Sequence, residues 1–160
     1  MACFVLALGS NLGERGRTLK EAVASIGEFC EVKMLSKIYE TPPAGYENQR
    51  DFFNMAAFCG AEISPETLLE KCNEIEEKFG RVRTFKNAPR TLDVDIVFFE
   101  GLQIRTPRLE IPHPRWRERD FVITPLLDLS EQGAFDDEKF AFVKEILKTK
   151  TRKFNPVKEL

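Results

Sequence analysis

The spacing of apolar residues changes period along the chain in the order strand, helix, strand, strand, helix, strand, and this order constrains the fold more than any other feature. Residues 3–8, CFVLAL, read as a buried strand closed by the turn Gly9-Ser10-Asn11. Leu19, Ala22, Val23, Ile26 and Phe29 then recur at helical spacing, which predicts a helix over 18–29. Strands follow at 32–39 and 52–61, separated by a loop at 41–51 that contains two prolines and a glycine. Ser64-Pro65-Glu66 is a helix start, and Leu68, Leu69, Cys72, Ile75 and Phe79 form its buried stripe up to Gly80. A second long loop, 81–89, leads to a strand at 92–99, with a turn at Glu100-Gly101 and a short partner strand near 102–104. Residues 111–120 are a proline-interrupted connection, 121–129 fit a strand or a helix, and 140–147 suggest a last helix. The tail, 150–160, is polar and takes no assignment. The expected fold is α+β: a ferredoxin-like βαββαβ core, an antiparallel sheet flanked by helices in α-β-α layers, with C-terminal additions. A length of 160 residues suits one domain, 1–160.

Composition excludes several chemistries. The charges, 24 Lys+Arg against 26 Asp+Glu, lack the basic excess of a general nucleic-acid coat or a polybasic membrane binder. His113 is the single histidine, so no multi-His metal site can form. Cys3, Cys30, Cys59 and Cys72 form no C-x-x-C; all four sit among apolar neighbours and read as buried thiols of a reducing cytosol. A metal would therefore need oxygen ligands, which points to magnesium or manganese. The N-terminal apolar run stops at Leu8 without a basic leader, so neither a signal peptide nor a membrane span is expected.

The small net charge hides a strong local imbalance. Residues 81–119 hold nine basic and five acidic side chains, and eight of the chain's 12 arginines lie there beside one lysine. Arginine forks grip phosphate oxygens and never lose their charge, although a salt-bridged surface would show the same enrichment. Within this segment, alternation puts Asp93 and Asp95 on one face of the strand, with Leu92, Val94 and Ile96 on the other. Their Cα atoms lie roughly 6.6 Å apart at strand rise, close enough to converge on one or two hard cations. The alternatives are compensation by Arg90 or an exposed strand face. Carboxylates that hold magnesium beside clustered arginines suit a nucleoside triphosphate. There is no G-x-x-x-x-G-K-[ST], so a P-loop is excluded, and Gly9-Ser10-Asn11-Leu12-Gly13 reads as a tight strand-to-helix turn.

The stretch Lys86-Asn87-Ala88-Pro89-Arg90-Thr91-Leu92-Asp93-Val94-Asp95-Ile96-Val97 resembles the signature of the 6-hydroxymethyl-7,8-dihydropterin pyrophosphokinase (HPPK) family. Three more motifs agree in family order: Leu8-Gly9-Ser10-Asn11-Leu12-Gly13, Tyr39-Glu40-Thr41-Pro42-Pro43, and Ile111-Pro112-His113-Pro114-Arg115 leading to Glu118-Arg119-Asp120-Phe121-Val122. The resemblance covers about residues 3–150. It implies transfer of the pyrophosphoryl group of ATP to the pterin hydroxymethyl oxygen, with release of AMP, in folate synthesis. It implies two Mg²⁺ ions on Asp93 and Asp95, and Arg81 and Arg90 as catalytic loop arginines. Arg83, Arg90, Ile96, Arg108, His113 and Arg119 match nucleotide-binding positions. Thr41, Pro42, Pro43, Ala44, Phe52, Asn54 and Phe121 match the pterin pocket, where two phenylalanine rings can sandwich a flat heterocycle and an amide can read its edge. Trp116 stands where many members carry methionine. ATP and the pterin are the expected partners, with no nucleic acid and no membrane; a cytoplasmic monomer is expected, with loops 41–51 and 81–89 closing over ligands.

Two rivals belong to other classes. A noncatalytic ferredoxin-like RNA-binding module would use arginines and phenylalanines on an open sheet, and Asp93 and Asp95 speak against it. A magnesium-dependent phosphodiesterase would need further acids or histidines near the metal.

Overall fold

The computed structural model describes residues 1–43, 48–80 and 91–158. The first apolar run forms β1 (Ala2–Ser10), followed by α1 (Arg15–Ile26), β2 (Glu31–Leu35), β3 (Tyr39–Thr41), β4 (Phe52–Ala61) and α2 (Pro65–Lys78). Then come β5 (Asp93–Phe99), β6 (Ile104–Arg105), β7 (Glu110–Ile111), α3 (Asp120–Glu131) and α4 (Ala141–Leu147). The main sheet is antiparallel with the order β2-β4-β1-β5, and β3 also pairs with β4. β2 and β3 follow one another along the same edge of β4, because β2 meets Ala57–Gly60 and β3 meets Phe52–Asn54.

Alternation along the strands builds two cores. Leu6, Leu8, Ala57, Cys59, Val94 and Ile96 face Leu19, Ala22 and Ile26 of α1 and Leu68, Cys72 and Ile75 of α2. Val5, Ala56 and Phe58 face the other way, toward Val122, Ile123, Leu126 and Leu129 of α3 and Val143 and Leu147 of α4. A register shift between Val5 and Leu6 brings both Val97 and Phe98 into this second core. Trp116 fills it further, edge-on to Phe98 at 4.9 Å between ring centroids, which gives the tryptophan a packing role. Each fully buried large side chain contributes about 1.5–3 kcal/mol, so the sheet is held from both faces.

The start of α2 follows the sequence. Ser64 accepts a hydrogen bond from Thr67 N at 3.2 Å, Pro65 opens the helix, and Glu66 sits at its positive end. Gly80 follows in the left-handed region at φ 73°.

Several expectations need correction. The strand expected over 32–39 is broken into β2 and β3. Ser36 turns the chain there, its N–H donating to Ala56 O at 2.9 Å and its hydroxyl accepting from Ala56 N at 2.8 Å. α1 is shifted three residues toward the N-terminus, to Arg15–Ile26. The turn at Glu100 exists, but no partner for β5 follows it; β6 pairs with β7 in a separate two-stranded sheet. The ambiguous segment is helix α3, buried nearly all round, so a helical stripe is absent from its sequence. The four cysteines are free thiols; Cys59 and Cys72 are buried, whereas Cys3 and Cys30 are only half-buried. The tail, unassigned from the sequence, packs back on the sheet edge, with Val157 N donating to Ile38 O at 2.7 Å.

Candidate active site

The side of the sheet under α3 does not stay apolar to its end. Beyond Val5, β1 continues with Ala7 and Gly9. On β4, Phe58 and Ala56 give way to Asn54 and Phe52, and on β5 the positions beside Ala7 and Gly9 are Asp95 and Asp93. Small residues in the central strand leave a hollow between the flanking side chains. Gly9 is required there by close approach: a Cβ would lie 2.7 Å from Asn54 Oδ1 and 3.5 Å from Phe52 Cδ2.

The hollow is a depression of about 620 Å³. Thr41, Pro42, Phe52, Asn54, Phe121, Val122 and the β1 backbone line it. Asn54, only 7% exposed, donates through Nδ2 to Thr41 Oγ1 at 2.6 Å, which turns its Oδ1 toward Gly9. A second depression of about 990 Å³ adjoins it, lined by Asn73, Glu76, Ile96, Arg108, His113 and Pro114. The two share Asp93, Asp95 and Arg119. The Arg119 guanidinium lies 5.5 Å from the centre of the Phe121 ring. One lobe is therefore aromatic and amide-edged, the other polar, and two carboxylates stand between them.

His113 is held by its own backbone, whose N–H donates to Val97 O at 2.9 Å. Its Nδ1 accepts from Arg115 N at 3.2 Å, so the neutral ring carries its proton on Nε2. Burial, reinforced by Arg119, pushes its pKa down to about 4 despite the opposing pull of Asp93. At neutral pH His113 is thus a hydrogen-bond donor without charge.

Asp93 and Asp95 offer hard oxygen ligands of the kind a divalent cation takes. Among the described residues no group of three or more His, Cys, Asp or Glu side chains encloses a metal position. Such an ion would keep coordination positions for phosphate and water, as magnesium does at phosphoryl-transfer sites.

A family model for 7,8-dihydro-6-hydroxymethylpterin-pyrophosphokinase (HPPK) matches residues 5–131. The chain belongs to this family. It is 43% identical over 129 residues to the 2-amino-4-hydroxy-6-hydroxymethyldihydropteridine pyrophosphokinase of Bacillus subtilis, covering 79% of this chain and 77% of that protein. It is 38% identical to the enzyme of the same name from Aquifex aeolicus, covering 81% of each. A folic acid synthesis protein of Dictyostelium discoideum is 41% identical over 125 residues; the match covers 78% of this chain and only 19% of that longer protein. Among solved structures, an HPPK-DHPS in complex with substrates superposes with a TM-score of 0.65 at 16% identity, covering 99% of this chain and 48% of that one. At that identity the likeness concerns the fold.

In this HPPK chain the two depressions gather Thr41, Pro42, Phe52, Asn54, Asp93, Asp95, Ile96, Arg108, His113, Arg119 and Phe121. Pro43 is half-buried and lines neither of them. Ala44, Arg81, Arg83 and Arg90 lie outside the described residues, as do the whole of the loop 81–89 and residues 44–47 of the loop 41–51. Sequence reasoning missed Glu76. It is 4% exposed and accepts from Val94 N at 2.8 Å, pinning the backbone between the two aspartates. The available signal was its spacing: Glu76 follows Cys72 by four residues, next to the buried stripe of α2.

Proposed function

We propose that this chain transfers the pyrophosphoryl group of ATP to the hydroxymethyl oxygen of 6-hydroxymethyl-7,8-dihydropterin and releases AMP, a step of folate synthesis. The observation that carries this reading is the pair Asp93 and Asp95 at the junction of two cavities of unlike chemistry. A pterin fits the first lobe, with Phe52 and Phe121 available to its faces and Asn54 and Thr41 to its edge. A nucleotide fits the second, with Ile96 as an apolar surface for the base and Arg108, Arg119 and the His113 Nε2–H toward the phosphates.

Both lobes open on the aspartates, so a hydroxymethyl group from one side meets a polyphosphate from the other. The pterin oxygen bonds to the β-phosphorus and gives up its hydroxyl proton to solvent, the bond from that phosphorus to the α,β-bridging oxygen breaks, and AMP leaves with that oxygen. Arg119, shared by both lobes, stabilises charge building on the transferring group. Asp93 and Asp95 would hold two Mg²⁺ ions, which when bound neutralise phosphate charge and align the oxygens. Arg81, Arg83 and Arg90 are assigned to the polyphosphate by the family motif, together with Ala44 and Pro43 on the pterin side.

We read residues 1–160 as one ferredoxin-like domain, supported by the strand order β2-β4-β1-β5 and by helices on both faces. A cytoplasmic monomer that binds ATP and the pterin, without nucleic acid or membrane, completes the reading; among the described residues no helix is long and apolar enough to cross a membrane. An RNA-binding module of this topology would need an open sheet face, and α1 with α2 and α3 with α4 cover both. The test is to incubate the protein with ATP, Mg²⁺ and the pterin and separate the nucleotides. AMP is expected, and ADP or unchanged ATP overturns the reading.

A further inference from the structure

The family match ends at residue 131, yet the chain beyond it reaches back to the wall of the first cavity. β3 has three residues and pairs with β4 alone in the sheet. The tail meets it from the side: Val157 N donates to Ile38 O at 2.7 Å, and Tyr39 forms an isolated antiparallel bridge with Pro156. Lys153 N fastens the same tail to Thr124 of α3, at 3.2 Å from its hydroxyl.

Asp128 of α3 is the common anchor. It is 7% exposed and accepts from Lys37 N at 2.9 Å and from the hydroxyl of Tyr39 at 2.7 Å, itself 1% exposed. Arg152 supplies the cation, with its Nη2 at 2.7 Å from Asp128 and 2.8 Å from Glu131. Burial and the Asp128 carboxylate push the Tyr39 hydroxyl up to about 12, so it stays protonated and donating. A buried carboxylate deprived of its cation is costly, and its neutral donors rearrange around it. Tyr39 and Thr41 are both buried on one side of β3, and Thr41 Oγ1 orients Asn54. Asp93 and Asp95 stand two strands from Asn54, on β5 beyond β1.

We propose that the C-terminal tail is a strap that sets the pterin-side wall of the site, with Arg152 as its positioning residue acting through Asp128 and Tyr39. In its kinetic form this rests on the function proposed above. Arg152 is partly exposed, so its replacement leaves the cores intact. Arg152→Ala is expected to raise KM for the pterin about tenfold while KM for ATP and kcat change less than about twofold. Arg152→Lys, which keeps the charge within reach of Asp128, recovers most of the loss. Equal increases in both KM values, a fall in kcat alone, or wild-type kinetics in Arg152→Ala each overturn the strap. A second readout needs no substrate: hydrogen exchange in Arg152→Ala should quicken at Thr41 and Asn54 and stay unchanged at Val94 and Ile96. Unchanged exchange at Thr41 and Asn54 overturns the strap even in a protein that makes no AMP, whereas absence of AMP with quickened exchange overturns only the activity.

Discussion

The two sides of one sheet differ in what the same strands carry. Toward α1 and α2, β1, β4 and β5 present Leu6, Leu8, Ala57, Cys59, Val94 and Ile96, and that side is packed apart from the β5 edge, where Val94 and Ile96 meet Asn73 and Glu76 of α2 in the wall of the second depression. Toward α3, the same strands begin with Val5, Phe58 and Val97 and end with Gly9, Asn54, Asp93 and Asp95. Neighbouring residues thus serve opposite ends: Leu8 packs a core while Gly9 floors a cavity, and Val94 is buried between two aspartates. The period of two lets a strand borrow rigidity from its back for its front. The carboxylates are placed accurately because Val94 and Ile96 are fixed behind them and Glu76 holds the Val94 N–H.

Substitutions that separate the two sides should have separable effects. The largest is expected for Asp95→Asn, which keeps the shape but removes a charged ligand: kcat should fall roughly a thousandfold with the melting temperature nearly unchanged. Steady-state assay and calorimetry on the same sample check it, and near-wild-type turnover would remove Asp95 from its role. Leu6→Ala reverses the pattern. It should cost about 3 kcal/mol of stability by denaturant titration and leave kcat below the melting temperature close to wild type. A large loss of turnover in the still-folded variant would show that the sides are not separable.

A smaller effect is expected for Gly9→Ala, whose Cβ must displace Asn54 Oδ1 from 2.7 Å. KM for the pterin should rise about tenfold with KM for ATP unchanged; the opposite split would place the pterin elsewhere. The smallest concerns His113, on the α3 side. As the only histidine it has a single imidazole signal, expected by NMR to titrate near 4 and not near 6.5. Its folded pKa is depressed, so the unfolded chain takes up the proton first. Stability should therefore decline as pH falls from 6.5 to about 4 and level off below. A midpoint at 6.5 would mean that the ring is not desolvated.

What the sequence revealed follows the reach of the interactions. Asp93 and Asp95 were legible because alternation is local, and Ser64-Pro65 because a helix start is written in adjacent residues. The break at Ser36 was hidden, since it depends on a hydroxyl bonded to Ala56 twenty residues on and has no glycine or proline to mark it. The turn at Glu100 was read correctly and its partner wrongly: a turn closes locally, whereas β6 finds β7 through a later segment. Glu76 looked like one of several acids on a solvated helix, because its partner is a backbone N–H on another element. The strap was invisible for the same reason, with Arg152 and Asp128 24 positions apart and meeting only after the tail folds back.

The free thiols give the side under α1 and α2 a chemical record of its own. The hydrogen bond with Cys30, followed by burial, pushes Cys59 well above the ordinary thiol range, and burial reinforced by Glu76 does the same to Cys72. Neither sulfur offers a thiolate to an alkylating reagent while α1 and α2 stay closed over the sheet. Their labelling rate therefore clocks the opening of α1 and α2 from the sheet, read from inside that core.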